Sequence, residues 1–191
     1  MRYFRPALSL VAFMTLALGI VYPLVITGLS RMLFPAQASG SLLHKGTTLI
    51  GSELIGQHFS DPGHFWGRPS ATAPQPNNGS ASGGSNLGPL NPALLDQVDT
   101  NIKALKAEGA PQQPGNVPVD LVTASASGLD PDISVAGAQY QVARVARARN
   151  LPPAAVQALI TRLQKAPLFG IIGESQVNVL ELNMALDSRR K

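Results

Sequence analysis

The sequence feature that most constrains this chain is a stretch without a charged residue over positions 6–30, bounded by Arg5 and Arg31. A helix rises about 1.5 Å per residue, so the stretch spans roughly 37 Å, more than the ~30 Å hydrocarbon core of a bilayer. Its apolar residues cover every face of a helix, which is not the pattern of a soluble amphipathic helix. A membrane helix tolerates Pro23 when neighbouring groups satisfy the freed carbonyl. The stretch predicts one transmembrane helix.

A cleaved signal peptide is the alternative interpretation of the same stretch. Arg2 and Arg5 form a short positive segment, and residues 36–38 fit a cleavage site of the A-x-A type. The apolar region of a signal peptide is about 7–15 residues long, which is shorter than this one, so retention as an anchor is favoured. The amino group gives the segment before the apolar stretch slightly more positive charge than the segment after it. This excess favours a cytoplasmic N-terminus (1–5) and an extracytoplasmic domain (36–191).

The composition of that domain excludes a nucleic-acid partner. The whole chain has 191 residues and a formal net charge of +4, from 15 Lys and Arg and 11 Asp and Glu. Three of the 15 cations flank the predicted helix, so the remaining 12 face the 11 acids in a nearly neutral domain. Nucleic-acid binding needs a basic stripe interleaved with aromatic residues, and neither is present. Cysteine is absent, so disulfides and thiolate sites are excluded.

Hydrophobic periodicity predicts four helices in the domain, each with a recognisable start. The predicted starts are Asn91 with Pro92, Asp132 or Ser134, Pro152 with Pro153, and Asn178 with Glu181. The predicted ends of the first, second and fourth helices are Gly109, Asn150 and Asp187. Short strands are predicted at 47–50, 117–123 and 168–172. The fold class is therefore α+β: one N-terminal transmembrane helix, then a single extracytoplasmic domain of about four helices and a few short strands.

Motifs for independent catalysis are missing from the sequence. No P-loop, dinucleotide fingerprint or nucleophile elbow occurs. His58 and His64, with Asp61 between them, have neither the helical nor the finger spacing of a metal site, so surface histidines are favoured. A membrane-tethered hydrolase would need a serine, an aspartate and a histidine together, and the candidates besides the histidines are Ser125, Ser127, Asp120 and Asp130.

Two runs of small residues, 82–86 and 125–130, form the core of the candidate site. Small side chains leave backbone groups open, and glycine allows positive φ, so such runs suit the close approach of another backbone. The alternative is two tight turns, with Asp130 capping the helix that follows. Metal chelation is less favoured because few carboxylates converge. The residues assigned to this partner-docking or structural motif are Arg68, Ser82, Gly83, Gly84, Ser85, Asn86, Thr123, Ser125, Ser127, Gly128 and Asp130.

Arg68 lies between Trp66-Gly67 and Pro69-Ser70. A guanidinium stacks readily on an aromatic ring or forks onto a carboxylate. We therefore hypothesise that Arg68 is a structural clamp within the domain or onto a partner. The alternative is a surface ion pair of little energetic value.

Several strings resemble, in order along almost the whole chain, the C subunit of the Kdp-type potassium-transporting P-type ATPase of bacteria. The most specific are the run 123–131 (TASASGLDP) together with the run 82–86 (SGGSN). Further matches lie at 22–23, 40–41, 51–57, 65–71, 91–92, 141–149 and 177–183. One departure is Asp132, where the family more often has a histidine; an aspartate still suits the start of a helix.

The resemblance implies a single-span subunit of the bacterial inner (plasma) membrane, with a cytoplasmic N-terminus and a periplasmic domain. Its implied partners are a potassium-channel-like subunit, an ATP-hydrolysing P-type subunit, a small membrane peptide and the lipid bilayer. The subunit is implied to be non-catalytic and to bind no cofactor firmly, since ATP and potassium are handled by the complex.

The family's C subunit is described as a catalytic chaperone that raises the ATP affinity of the pump subunit. ATP is cytoplasmic, whereas nearly all of this chain is expected outside, so assembly and control at the potassium entrance is the physically easier role. An effect on nucleotide would then be indirect. We predict that the two small-residue runs lie together and meet the potassium-conducting subunit. The alternative function is a membrane-anchored binding or scaffold module without a transporter partner.

Overall fold

The structure, a computed structural model, describes residues 3–107 and 117–189. The chain divides into two compact units, Met1–Ile50 and Gly51–Lys191. The predicted helix stop at Gly109 and the first two residues of the predicted cytoplasmic segment lie outside the described residues.

The N-terminal unit is built on one continuous helix, Phe4–Leu33, which contains the predicted stretch 6–30. With 30 residues, including an 18-residue window whose mean hydropathy is 2.2, this helix is long and apolar enough to cross a membrane. It has three segments: α1 (Phe4–Leu16), a wider π-helical turn (Ala17–Val21) and α2 (Tyr22–Leu33).

The wide turn immediately precedes Pro23. Proline has no N–H to donate to the carbonyl of Gly19, and its ring crowds that carbonyl. One residue before the proline, the backbone N–H of Tyr22 donates to the carbonyl of Ala17. The acceptor is five residues earlier and not four, which widens the turn. The proline is thus accommodated without ending the helix.

A hairpin completes this part of the chain. The one-turn helix α3 (Pro35–Ala38) is followed by β1 (Leu42–Lys45) and β2 (Thr48–Ser52), which pair with each other. Gly46 has a φ of +63° in the turn between the strands, a conformation that glycine adopts without strain. The predicted strand at 47–50 is confirmed and continues to Ser52.

Within the described residues, the C-terminal unit combines four helices with one small antiparallel sheet. The sheet has the order β3-β5-β4, and Val177 in its central strand pairs with Ile133 and Gln164. The α+β class and the four predicted helices are confirmed. The elements are α4 (Pro92–Ala107), β3 (Asp132–Ser134), α5 (Val135–Arg149), α6 (Pro153–Leu163), β4 (Gln164–Lys165), β5 (Gln176–Asn178) and α7 (Val179–Asp187).

Local capping sets the ends of α5 and α7. The Ser134 hydroxyl accepts a hydrogen bond from the backbone N–H of Gly137 at 2.9 Å, so Ser134 is the cap among the two predicted candidates. The side-chain oxygen Oδ1 of Asn178 accepts a hydrogen bond from the backbone N–H of Glu181 at 3.1 Å. Asn150 ends α5 in the left-handed conformation that asparagine tolerates.

The core forms where α5, α6 and α7 pack with the sheet. Its fully buried side chains are mostly aliphatic and include Ile133, Val145, Val156, Leu159, Ile160, Val177, Leu182 and Leu186, with Phe65 from a preceding loop. Two polar side chains of α5, Gln141 and Arg144, are also buried, at 1% and 2% exposure.

These polar side chains attach the irregular segment around Phe65 and Trp66 to the helices. Gln141 accepts from the backbone N–H of Trp66 and donates to its carbonyl, and Asn183 of α7 does the same for Phe65. The Arg144 guanidinium lies 4.6 Å from the centre of the Trp66 ring. The segment therefore satisfies its backbone on side-chain amides instead of on a strand.

Two of the predicted strands are wrong. Residues 119–121 of the first form a single 3-10 turn, Val119–Leu121, which the Thr123 hydroxyl closes by donating to the carbonyl of Val119 at 2.7 Å. Burial of Leu121 and Val122 in the core explains the apolar pattern. In the second, Leu168 pairs with Ile172 of the same segment, so the residues form a turn with exposed apolar side chains.

Candidate docking site

The structure brings the two small-residue runs into direct contact. The Ser82 hydroxyl donates to the carbonyl of Ser127 at 3.0 Å, and the backbone N–H of Gly83 donates to the same carbonyl at 2.9 Å. Runs that are more than 40 residues apart in sequence thus form one surface. We call residues 82–86 and 125–130 the small-residue face.

Two glycines make this contact possible. A Cβ on Gly84 would lie 2.8 Å from the carbonyl oxygen of Ala126. Gly128 has a φ of +68°, and a Cβ there would lie 2.7 Å from the carbonyl oxygen of Gly83 and 2.5 Å from Cγ2 of Thr72. Gly83 itself has open space where a Cβ would stand. Gly84 and Gly128 therefore serve the packing of the chain on itself.

A second layer of polar groups supports the face from behind. The Ser70 hydroxyl donates to the carbonyl of Gly128 at 2.7 Å and accepts from the backbone N–H of Asn77 at 2.9 Å. The Thr72 hydroxyl donates to the carbonyl of Gln75 and accepts from the backbone N–H of Asn78. The sequence analysis missed Ser70, Thr72 and Asn77. Their signal in the sequence was the presence of hydroxyl side chains in a proline-rich segment. Such a segment does not satisfy its own backbone in a helix or strand, so side chains must supply hydrogen bonds.

Arg68 joins the layers through Asp130. Its guanidinium lies 3.1 Å from the Asp130 carboxylate and donates to the carbonyl of Ala124 at 3.4 Å. The other carboxylate oxygen of Asp130 accepts from the backbone N–H of Asp132 at 3.1 Å. Asp130 therefore orders the turn before β3 and does not cap a helix, which corrects that alternative. Trp66 stacks with Arg144, not with Arg68.

The remaining assigned residues divide into buried and exposed groups. Ser125 is buried, and its backbone N–H donates to the carbonyl of Pro69 at 3.3 Å. Thr123 is used in the 3-10 turn. Asn86 has a φ of +52° and, with Ser82 and Ser127, is exposed, whereas Ser85 is half-buried. The exposed members of the face are the ones that a partner can reach.

Arg68 lines two clefts, and only the second of them includes residues of the small-residue face. One has a volume of about 390 Å³ and includes Trp66, Asn77 and Leu105 in its wall. The other has a volume of about 520 Å³ and includes Leu54 and Pro131. The Arg68–Asp130 ion pair thus stands at the border of two concave surfaces, each with polar and apolar lining.

An acidic cluster lies next to the second cleft. Lys165 is 2.9 Å from Glu53 and 4.0 Å from Glu181. Burial raises the pKa of Asp132 and of Glu181, and the charge of Lys165 opposes the rise in both. At Lys165, burial lowers the pKa, but Glu53 and the neighbouring acids outweigh it and the pKa is raised. Within the described residues, three carboxylates, Glu53, Asp132 and Glu181, thus share the charge of Lys165, which compensates them only in part.

The described part of the chain shows no cluster of three or more His, Asp or Glu side chains that could hold a metal. His64 lies between two carboxylates, 3.3 Å from Asp61 and 3.3 Å from Asp187. Over residues 3–107 and 117–189, no hydrogen bond joins Ser125 or Ser127 to a histidine. The two candidate serines therefore do not form a serine–histidine pair within these ranges.

A protein-family model described as "KdpC: K+-transporting ATPase, c chain" matches residues 4–188. The chain belongs to the KdpC family. The resemblance that the TASASGLDP and SGGSN runs predicted is thereby confirmed. KdpC is a subunit of the potassium-transporting ATPase complex, and a non-catalytic one by family.

Individual KdpC relatives match over nearly their full lengths. The chain is similar to the potassium-transporting ATPase KdpC subunit of Variovorax paradoxus, with 63% identity over 96% of this chain and 95% of the relative. The subunit of Polaromonas naphthalenivorans is 60% identical over 96% and 93% of the two chains. That of a Janthinobacterium strain is 58% identical over 97% and 98%.

Proposed function

We propose that this KdpC chain is an accessory subunit that fastens an extracytoplasmic domain to the potassium-conducting subunit of the pump. The small-residue face makes the contact. The observation that carries the proposal is that this face is held rigidly from behind, while its front presents only short side chains. Another backbone can approach such a surface closely without displacing long side chains.

The network behind the face supports this role. Ser70, Asn77 and the Arg68–Asp130 pair fix the run 125–130 by hydrogen bonds, so little order has to be gained on binding. The clefts on either side of Arg68 can receive side chains of the partner. The partners are the potassium-channel-like subunit, which meets the face, and the ATP-hydrolysing subunit and small membrane peptide of the same complex.

The test is a bulky substitution on the front of the face. Ala126 is exposed, so Ala126→Arg places a long charged side chain in front of the face. We expect at least a tenfold loss of co-purified pump subunits from mild detergent, with unchanged thermal unfolding of the variant. The control is Ala154→Arg, at an exposed position in the first turn of α6, which should co-purify normally.

Normal complex yield and normal transport in Ala126→Arg would contradict docking by this face. A wild-type chain that purifies alone under the same conditions would favour the scaffold module without a transporter partner. Gly84→Val is not a usable test, because its side chain would collide with Ala126 of the same chain.

We also propose that the helix Phe4–Leu33 is retained as the anchor in the inner membrane, with a cytoplasmic N-terminus and a periplasmic domain. The absence of cysteine allows a direct test. Ser41→Cys should react with a membrane-impermeant maleimide added to spheroplasts that retain an intact inner membrane. Reaction only after permeabilisation would contradict this topology, and a mature chain beginning at Ser39 would contradict retention.

We infer that any effect on ATP affinity reaches the ATP-hydrolysing subunit indirectly, as a coupling free energy through the assembly. A periplasmic domain and cytoplasmic ATP are on opposite sides of the bilayer. The expected result is that adding the subunit lowers the Kd of the complex for ATP, while the purified full-length chain alone binds no ATP in equilibrium dialysis. Saturable binding by the lone chain would contradict the indirect route.

A further inference from the structure

A turn between β4 and β5 exposes a contiguous group of large apolar side chains. Leu168, Phe169, Ile171 and Ile172 are 60%, 83%, 83% and 58% exposed. We call residues 167–173 the apolar tip. Other exposed large apolar side chains of the C-terminal unit, such as Leu90 and Val119, stand singly. Single exposed apolar residues are common on proteins, whereas a contiguous group marks an interaction surface.

The backbone of the apolar tip is folded back on itself. The N–H of Leu168 donates to the carbonyl of Ile172 at 2.9 Å, and the N–H of Ile172 donates to the carbonyl of Leu168 at 3.0 Å. The N–H of Gly170 donates to the carbonyl of Pro167 at 2.9 Å. Much of the backbone polarity of the tip is thereby satisfied internally, which is what an apolar medium requires of an inserted segment.

Phe169, the first residue of the turn between Leu168 and Ile172, has an unusual conformation. Its φ is +55°, in the left-handed region that a bulky aromatic residue rarely adopts. The side chain is nevertheless the most exposed of the group, together with Ile171. The turn therefore presents Phe169 outward at a conformational cost that no burial within the described residues offsets.

The tip also lacks charge. No Asp, Glu, Lys or Arg occurs from 167 to 173, and the flanking charged residues are Lys165 and Glu174. Lys165 is already paired with Glu53. An uncharged tip can be transferred into hydrocarbon without a large desolvation penalty, and it has no cation left to select anionic lipid.

We propose that the apolar tip inserts into the interfacial layer of the bilayer that holds the chain's own membrane helix. This inference rests on the proposed retention of Phe4–Leu33 as a membrane anchor: residues 34–50 connect that helix to the C-terminal unit, and the anchor would keep a bilayer at high local concentration. Even a weakly apolar element is then driven to insert. The tip is a second membrane contact of this chain, independent of the docking of the small-residue face.

The absence of native cysteine makes a spin-label test direct. The full chain, with Phe169→Cys labelled, is reconstituted into phosphatidylcholine vesicles. We expect collisions of the label with dissolved oxygen to exceed collisions with a water-soluble nickel chelate several-fold. The control is Leu90→Cys, whose side chain is 94% exposed in a polar loop and should show the opposite ratio. Ile171→Cys provides a second probe if the first variant folds poorly.

The results separate bilayer from protein contact. Equal chelate accessibility at 169 and 90 in vesicles overturns the proposal. A label at 169 that is exposed in the lone subunit and becomes protected from both reagents only in the assembled pump identifies a protein interface, which also overturns it. Loss of insertion in high salt would indicate electrostatic attachment and would also overturn the proposal. Insertion that persists in high salt supports the apolar mechanism.

Discussion

The substitution Gly128→Ala probes the packing of the two small-residue runs most directly. Gly128 has a φ of +68°, and it is buried at the centre of the contact. The added Cβ would lie 2.5 Å from Cγ2 of Thr72 and 2.7 Å from the carbonyl oxygen of Gly83. Thr72 cannot simply rotate away, because its hydroxyl is hydrogen-bonded to Gln75 and Asn78.

The expected loss of stability has two contributions. A non-glycine residue in the left-handed region costs roughly 1–2 kcal/mol. Forcing a methyl group into a packed site costs about 1–3 kcal/mol more. The sum is about 2–5 kcal/mol of the free energy of unfolding. For a unit of this size, a loss of 3 kcal/mol corresponds to a decrease in Tm of roughly 10 °C.

The measurement is thermal unfolding of the full chain in mild detergent, followed by circular dichroism. Gly83→Ala is the matched control, because it makes the same chemical change in the same contact where the structure has open space. Its Tm should stay within about 2 °C of the wild type.

A Tm of Gly128→Ala equal to that of the wild type would refute the predicted steric conflict. A decrease in Tm for Gly83→Ala as large as that for Gly128→Ala would refute it as well. A second variant tests the named contact. Thr72→Ser keeps the hydroxyl but removes Cγ2, so it should recover part of the loss when combined with Gly128→Ala. Recovery should be incomplete, since the carbonyl of Gly83 and the positive φ remain.

Three further predictions concern polar contacts. Arg68→Ala should cost about 1–2 kcal/mol in urea unfolding because Asp130 loses its cation, and unchanged stability would contradict the clamp. Burial opposes ionisation of Asp187, but Arg149 at 2.8 Å outweighs it and holds the pKa below its usual range. This stabilisation is present above the unfolded pKa and is lost as the pH falls through the folded pKa. Asp187→Asn should therefore destabilise at pH 7 and converge with the wild type in melting experiments once the pH has fallen through the lowered folded pKa; a difference independent of pH would contradict this. Asn178→Ala should cost about 2 kcal/mol in urea unfolding by removing the α7 cap and the bond to the Glu53 carbonyl, and Asn178→Ser, which keeps a neutral capping oxygen, should cost less.

Features that depend on neighbouring residues were predictable from the sequence. The charge-free stretch predicted the long apolar helix, because apolarity on all faces depends only on composition and helical period. Asn178 was predicted as a cap, and Ser134 as one of two candidate caps with Asp132, because a cap bonds to a backbone group three residues away. The family was predicted from strings such as 123–131, which are too particular to arise from general physics.

Features that depend on distant residues were decided only by the tertiary structure. An apolar run cannot show whether it will find a strand partner, so 117–123 was interpreted as a strand although part of it forms a turn that buries Leu121. The burial of Arg144 was equally hidden, since its partners Pro62 and Trp66 lie about 80 residues earlier.

The sequence alone predicted that the two glycine-containing runs suit the close approach of another backbone, because glycine has no side chain and allows positive φ. Of Gly83, Gly84 and Gly128, only Gly128 uses a positive φ. The sequence could not determine what the runs approach. The structure shows that Gly84 and Gly128 make room for the opposite run of the same chain. Such a contact joins residues more than 40 positions apart, and its distances exist only once the backbone between them has folded.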